Sequence, residues 1–96
     1  MANLEHIQKQ RDEIHKISSR HGARRIRIFG SVARQTAGVD SDVDFLIDLD
    51  PERSLLDLGG LKMELQDLLG CKVDLVTEKG LHWYLKDKIL KEARPL

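Results

Sequence analysis

The fold is decided by residues 28–48, which read IFGSVARQTAGVDSDVDFLID. A strand-like apolar run ends at Gly30-Ser31, ten residues follow, and a second apolar run begins with the pattern Asp42-x-Asp44. Because side chains alternate between the two faces of a strand, both aspartates project from the same side and could share divalent cations. Gly30 offers an unobstructed backbone and Ser31 a hydroxyl to phosphate oxygens. The stretch therefore predicts a phosphate-and-metal site.

Size and charge limit what this site can belong to. The chain has 96 residues, of which 41% are hydrophobic and 33% charged, as in soluble globular proteins. A chain of this length buries about two-thirds of its unfolded surface, so we expect one domain over residues 1–96 without a second catalytic or recognition domain. The formal net charge is zero, although residues 1–29 carry +4 and residues 40–69 carry −7. Because a nucleic-acid-binding domain is usually basic, no direct nucleic-acid partner is expected.

The cysteine content and the hydropathy of the chain indicate its compartment. Cys71 is the single cysteine, so an internal disulfide and a thiolate metal site are both excluded, which fits a reducing cytoplasm. The first residues have no apolar signal core, and no run approaches the roughly 18 apolar residues of a membrane span. We therefore expect a cytoplasmic protein with no membrane partner.

Apolar periodicity predicts an α/β (α+β) fold, in which helices flank a small mixed sheet of about three strands. Strands are predicted at Arg24–Phe29, Val43–Leu49 and Lys72–Val76. Helices are predicted from Leu4 to about Ser19, over Val32–Gln35 with Ser31 as cap, from Ser54 to a stop at Gly70, and from Leu81 to about Glu92. Residues 36–41 are predicted to be a loop, and the pattern leaves the strand pairing open.

Several side chains have two interpretations. Arg25 and Arg27 either steer phosphates toward Ser31 or are solvated surface charges, which is the commoner case. Gly59-Gly60 costs the leucine-rich helix about 1 kcal/mol each relative to Ala, which indicates either close packing or the approach of a partner. That helix should begin with a capping box of Ser54 and Asp57 and bury a stripe made up of Leu55, Leu58, Leu61, Leu65, Leu68 and Leu69.

Aromatic, histidine and cysteine side chains are expected to be mainly structural. Trp83 and Tyr84 are predicted to lie in the core, with a partner-facing surface as the alternative. Cys71 is predicted to be a small buried hydrophobe. The four histidines have no metal-ligand spacing and are expected in surface or core roles; they are His6, His15, His21 and His82.

Three carboxylates in strand contexts are candidate metal ligands, namely Asp42, Asp44 and Asp74. Two carboxylates on one strand and a third on a neighbouring strand could hold two magnesium ions roughly 3.5–4 Å apart, as in phosphoryl and nucleotidyl transfer. One or two carboxylates per ion suffice when substrate phosphates complete the octahedron. Asp74 interrupts an apolar strand, where a buried lone carboxylate is costly unless it is paired or bound to a metal.

These motifs resemble the signature of the polymerase-beta superfamily of nucleotidyltransferases. The matching residues are Gly30-Ser31, Ala33-Arg34 and Ser41-Asp42-Val43-Asp44-Phe45. The order of elements over about residues 4–92 resembles the minimal nucleotidyltransferases, which are the small antitoxin members of that superfamily. Gln35 stands where the family commonly has Gly, and Phe45 where it has Leu; Gln35 puts the local turn geometry in question, whereas Phe45 is a tolerable core substitution.

The resemblance implies roles for the motif residues in a nucleotidyltransferase fold. Gly30 and Ser31 would contact the triphosphate of ATP. Asp42 and Asp44 would bind two Mg²⁺ ions, with Mn²⁺ as the alternative metal, and Asp74 would complete the set as ligand and base. Arg34 would either contact phosphate or tie down the loop after Ser31.

The resemblance also implies a partner and a reaction. The expected partner is a HEPN-domain toxin, a ribonuclease, and the reaction is transfer of AMP from ATP to a toxin tyrosine in a type VII-like toxin–antitoxin system. Two alternatives stay open, namely an antitoxin that neutralises the toxin by binding without catalysis and a nucleotidyltransferase that acts on a small molecule. Since the chain leaves no domain to hold an acceptor, a homo- or hetero-oligomer is expected to complete the site.

Overall fold

A four-stranded mixed sheet carries the predicted site in this computed structural model, which describes residues 3–36 and 42–96. The strands are β1 (Ala23–Phe29), β2 (Val43–Leu49), β3 (Val73–Thr77) and β4 (Arg94–Pro95). The helices are α1 (Leu4–Lys9), α2 (Arg11–Arg20), α3 (Gly30–Ala33), α4 (Leu55–Leu69) and α5 (Trp83–Glu92), with a 3₁₀ turn at Glu78–Gly80. None of the helices described is long and apolar enough to cross a membrane.

The strand order is β3-β2-β1-β4, with β2 parallel to β3 and β1 antiparallel to both β2 and β4. The predicted mixed sheet is therefore confirmed, and the pairing that the pattern left open is settled. The prediction of about three strands missed β4, which pairs Arg94 and Pro95 with Ile28 and Arg27. A two-residue strand is recognised by its backbone pairing and has too few side chains to show a period.

The N-terminal helix predicted over about residues 4–19 is divided in two. Gln10 adopts φ −100° and ψ 11°, which ends α1 and begins α2. Asn3 caps α1 as predicted, because its side chain accepts a hydrogen bond from the His6 backbone N–H. The helical spacing of the apolar residues survives the break, since Ile7 and Ile14 are both fully buried.

The core lies between the sheet and the helices that cover one of its faces. Helices α2 and α4 contact each other as well as β1 and β3, respectively. Leu46 is on the opposite face of β2 and is also fully buried. Cys71 packs against the core as a small hydrophobe, but it is half-buried and not buried as predicted. The core cluster consists of Ile7, Ile14, Ile17, Ala23, Ile26, Ile28, Val32, Ala33, Val43, Phe45, Ile47, Leu61, Leu65, Leu69 and Val73.

Helix α4 has the predicted ends and part of the predicted stripe. Ser54 and Asp57 form the capping box, and Gly70 ends the helix with φ +68°. The prediction for Leu55 is wrong, because its side chain is 82% exposed in the first turn, ahead of the part of α4 that is buried. Gly60 supports the close-packing interpretation, since a Cβ there would lie 2.9 Å from His21 Cε1.

Helix α5 corrects the prediction that Trp83 and Tyr84 lie in the core. The two side chains are 85% and 62% exposed, and no residue of α5 is fully buried. The half-buried residues of α5 are at its C-terminal end, where Ile89 and Glu92 lie. An apolar pattern predicts which face of a helix is inward but cannot predict which of its turns has a neighbour.

Candidate active site

The turn between β1 and α3 depends on a glycine. Gly30 has φ +78°, a backbone conformation that residues other than glycine rarely adopt. A Cβ built at this position would collide with the Oδ2 atom of Asp44. The short helix therefore begins at Gly30, earlier than predicted, and Ser31 lies inside it and is not its cap. The bare backbone expected at this position is the feature that lets β2 approach so closely.

The sheet register brings the predicted carboxylates together. Asp44 lies opposite Phe29 of β1 and opposite Asp74 of β3. Because paired residues of neighbouring strands share a face, Asp44 and Asp74 project from the same side. Asp42 immediately precedes β2, two positions before Asp44, so it projects from that side as well. The Gly30 turn and all three aspartates thus converge at one end of the sheet.

Asp74 is more exposed than the other two carboxylates. Asp44 is half-buried, whereas the Asp74 side chain is 57% exposed on the edge strand β3, with Lys62 Nζ 4.0 Å from its Oδ1 atom. Asp74 is therefore not the buried carboxylate that its place in an apolar strand suggested, and burial gives it no need of a metal. An edge strand has a neighbour on one side only, so a polar side chain there reaches water without disrupting the core.

Burial and like charge act together on Asp44. Desolvation raises its pKa most, the nearby Asp74 and Asp42 raise it further, and the result is a pKa of about 6 in place of 3.8. The Arg34 charge lowers this pKa, and the Glu92 charge raises it. An ionised Asp44 is therefore costly at neutral pH unless further positive charge is supplied.

The donor set at this end of the sheet suits a hard cation. The carboxylates supply oxygen atoms only, which is the ligand type that Mg²⁺ and Mn²⁺ prefer. Among residues 3–36 and 42–96, no group of three His, Cys, Asp or Glu side chains is close enough to hold an ion by itself. This arrangement fits magnesium that keeps several waters and takes further ligands from substrate phosphates.

Glu92 is part of this site, and sequence reasoning missed it. Its carboxylate accepts a hydrogen bond from the Gly30 backbone N–H, with 3.3 Å between Oε2 and N, and its Oε1 atom pairs with the Arg34 guanidinium. Arg34 is thus bonded to α5 in this structure, and its predicted contact with phosphate stays a prediction. The signal in the sequence was weak: an acid in the last turn of a helix is unfavourably placed relative to the helix dipole and needs a partner elsewhere.

Two arginines of β1, Arg25 and Arg27, form ion pairs with acids of β2 and the 3₁₀ turn. Arg25 has φ +52° at a bulge in the β1–β2 pairing, is 68% exposed, and lies 3.4 Å from Asp48. Arg27 is only 11% exposed and pairs with Asp48 at 3.4 Å and Glu78 at 3.6 Å. The surface-charge interpretation holds for Arg25, whereas Arg27 is largely buried between two acids, which neither interpretation anticipated.

The segment after Ser31 is described as far as residue 36. The Thr36 backbone N–H bonds to the Ser31 carbonyl at 2.9 Å, and Gln35 adopts φ +61°. Gln35, which stands where glycine was expected by resemblance, therefore still takes a left-handed conformation. The rest of the predicted loop, residues 37–41, lies outside the described residues.

Two histidines have the structural roles that were expected. His21 Nε2 lies 2.7 Å from Glu64 Oε2, which links α2 to α4. His15 Nε2 lies 2.9 Å from the Leu96 carbonyl oxygen. Both contacts connect distant parts of the chain.

Several known proteins are similar to this chain over most of its length. The chain matches the nucleotidyltransferase domain family over residues 7–96. A relative from Methanocaldococcus jannaschii, named "Putative protein adenylyltransferase MJ0435", is 44% identical over 87 residues, which cover 91% of this chain and 94% of the relative. Protein adenylyltransferase MntA from Thermococcus cleftensis is 40% identical over 78 residues, covering 81% of this chain and 79% of the relative.

Solved structures share the fold. One described as a "putative minimal nucleotidyltransferase" superposes with a TM-score of 0.89 and 45% identity, covering 99% of this chain and 97% of that one. A toxin–antitoxin complex with AMP-PNP gives a TM-score of 0.74 at 21% identity, and covers 88% of this chain and 69% of that one. A complex named MntA-HepT gives 0.68 at 19% identity, covering 91% and 68%. The predicted mixed α/β nucleotidyltransferase fold is confirmed.

Proposed function

Because this chain belongs to the nucleotidyltransferase domain family and is a nucleotidyltransferase, we propose that it transfers AMP from ATP to a tyrosine of a partner HEPN-domain toxin. It would thereby act as the antitoxin of a toxin–antitoxin pair in the cytoplasm. The observation that carries the proposal is the convergence of the Gly30 turn with Asp44 and Asp74 on adjacent strands. The names of two relatives as protein adenylyltransferases support a protein acceptor.

The phosphate side of the proposed site is the β1–α3 turn. The Gly30 N–H and the Ser31 hydroxyl would donate to the triphosphate, and Arg34 would add positive charge beside it. Because Asp44 approaches Gly30 so closely, phosphates bound at the turn would lie directly beside the carboxylates. A solved toxin–antitoxin complex of the same fold contains AMP-PNP, which supports ATP as the substrate.

The proposed metal side consists of Asp42, Asp44 and Asp74, which would hold two Mg²⁺ ions, with Mn²⁺ as the alternative. When bound, the ions would lower the pKa of the attacking hydroxyl and neutralise the leaving pyrophosphate. The raised pKa of Asp44 supports this assignment, because a carboxylate that is destabilised by its neighbours gains most from a cation. Asp44, which is half-buried, and Asp74, which is exposed, would hold the ions at the level of the Gly30 turn, where the ions would bind the substrate phosphates.

The acceptor would reach the site from the Asp74 side. The Asp74 carboxylate is 57% exposed on the edge strand, so a side chain of another protein can approach it. In the proposed reaction the tyrosine oxygen forms a bond to the α-phosphorus, and the bond between the α-phosphorus and the bridging oxygen breaks. Pyrophosphate leaves, and the tyrosine proton passes to Asp74.

Labelling of the partner tests this function. The protein is incubated with α-labelled ATP, Mg²⁺ and the cognate toxin, and we expect label on a toxin tyrosine. The variant Asp42→Asn, Asp44→Asn should lose labelling yet keep the complex, whereas Asp12→Asn, an exposed change on α2, should keep both. A folded wild-type protein that leaves its toxin unlabelled would refute the proposal.

A second function is neutralisation of the toxin by binding alone. It is favoured by large exposed apolar side chains on α4 and α5, which include Leu56 (87% exposed) and Trp83 (85% exposed). The doubly substituted Asp42→Asn, Asp44→Asn variant separates the two functions in cells. Continued protection from the toxin would favour binding, and loss of protection with an intact complex would favour catalysis.

A further inference from the structure

A carboxylate of the chain itself occupies the donors that we assign to the nucleotide phosphates. Glu92 accepts from the Gly30 N–H through Oε2 and pairs with Arg34 through Oε1. The side chain is only 15% exposed, so its place is not that of a solvated surface acid. Carboxylate and phosphate oxygens compete for the same guanidinium and backbone N–H donors. Glu92 and a phosphate group therefore cannot both use this pair.

The backbone after Glu92 keeps the carboxylate in this position. Glu92 ends α5, and β4 follows within two residues and pairs with β1. The Leu96 N–H donates to the Ile26 carbonyl at 3.0 Å, which extends this attachment. β1 leads directly into the Gly30 turn, and β4 begins just after Glu92. The pairing of β1 with β4 therefore holds Glu92 close to Gly30.

The opposite end of α5 is less constrained. Its first six residues, 83–88, are all exposed, whereas Ile89, Leu90 and Glu92 are half-buried. Only the C-terminal part of the helix is packed, and α3 is one of the elements that it contacts. A side-chain rotation at Glu92 would thus free Gly30 and Arg34 without unfolding the helix.

Repulsion from the nearby carboxylates also favours displacement of the Glu92 side chain. Its carboxylate lies at the end of the sheet that already holds Asp42, Asp44 and Asp74, and it adds to the charge acting on Asp44. Like charges at short range disfavour one another. Loss of Glu92 from this position would therefore cost its hydrogen bonds but relieve its repulsion of Asp44, and the phosphates that replace it would bring bound cations that offset their own charge.

We propose that Glu92 is an internal competitor of ATP, whose phosphates displace the carboxylate from Gly30 and Arg34. This inference rests on the proposed function. It makes nucleotide binding and the Glu92 contact with Gly30 and Arg34 mutually exclusive, so in the unliganded protein the Glu92 carboxylate satisfies both phosphate donors. A nucleotide would open that contact on binding, and departure of the product would let it close again.

The dissociation constant for Mg²⁺·AMP-PNP tests the competition. Calorimetric titration compares the wild type with Glu92→Gln, which keeps the side-chain shape and removes the charge. We expect about tenfold tighter binding by the variant, because a charged hydrogen-bonded competitor has been weakened. Asp87→Asn removes the same charge from an exposed position of α5 and should bind like the wild type. Equal or weaker binding by Glu92→Gln would overturn the proposal and make Glu92 a positioning residue for the turn.

A measurement on the wild type keeps the test independent of how the variant folds. In NMR spectra of ¹³C,¹⁵N-labelled protein, saturating AMP-PNP should shift the Glu92 side-chain carboxyl signal together with the Gly30 amide signal. A Glu92 signal that stays in place while Gly30 responds would overturn the proposal. If neither the wild type nor Glu92→Gln binds the nucleotide, the proposed function itself falls; if both bind equally, only the competition does.

Discussion

Gly30 and Asp44 are packed so closely that a methyl group at position 30 would overlap the Asp44 carboxylate. The contact joins the β1–α3 turn to β2 and depends on the antiparallel register, which sets Asp44 opposite Phe29. It therefore links the backbone expected to bind phosphate to a carboxylate expected to bind metal.

Replacement of Gly30 by Ala should damage both stability and activity. The left-handed conformation of Gly30 costs an L-residue about 1–2 kcal/mol, and the new methyl group would also force Asp44 to move. We expect a loss of at least about 2 kcal/mol in urea unfolding and loss of AMP transfer. Gly59→Ala is the matched control, because Gly59 is in α4 with nothing within 4 Å and should gain about 1 kcal/mol. A Gly30→Ala protein as stable as the wild type would contradict this reading of the turn.

Asp44 should make the protein less stable as the pH rises. Its pKa is raised from 3.8 to about 6 by burial and by Asp74 and Asp42, so the folded state binds the proton more tightly than the unfolded state. Its contribution to stability is thus present below about pH 4 and is lost as pH rises through about 6. At pH 7.5 the melting temperature of the Asp44→Asn variant should be several degrees higher than that of the wild type, and this difference in melting temperature should shrink toward pH 4. The exposed-site variant Asp12→Asn should show no such convergence.

Divalent cations should stabilise the folded protein through the carboxylates. An ion that binds only the folded state contributes about 1.4 kcal/mol at ten times its Kd. We expect Mg²⁺ or Mn²⁺ to raise the melting temperature of the wild type, and EDTA to reverse the increase. The Asp42→Asn, Asp44→Asn variant should not respond. An equal response from the variant would place the cation elsewhere.

Gln35→Gly should stabilise the turn that follows α3. Gln35 has φ +61°, where glycine avoids a steric cost of about 1–2 kcal/mol but loses more backbone entropy on folding. A net gain of roughly 0.5–1 kcal/mol in the free energy of unfolding is expected. Gln8→Gly, in the last turn of α1, is the opposite control and should lose stability, by up to about 1 kcal/mol. Destabilisation by Gln35→Gly would mean that the Gln35 side chain makes a stabilising contact.

The sequence by itself determined the order of the main elements and, apart from Glu92, the residues of the proposed site. Period-two alternation identified β1 and β2, and the Ser54 capping box and Gly70 marked the ends of α4. These signals are local, because a strand pattern, a cap or a left-handed glycine is written within a few consecutive residues. Gly30, Ser31, Asp42 and Asp44 were recognisable for the same reason.

Only the tertiary structure decided which of these residues meet. Parallel pairing of β2 with β3 set Asp74 opposite Asp44, although strand patterns do not state their partners. The edge position of β3 left Asp74 exposed, and the packing of α5 through its last turns left Trp83 outside the core. Glu92 reached Gly30 across 62 positions because β4 attaches to β1. Contacts between distant segments depend on sheet register and helix placement, which no local pattern encodes.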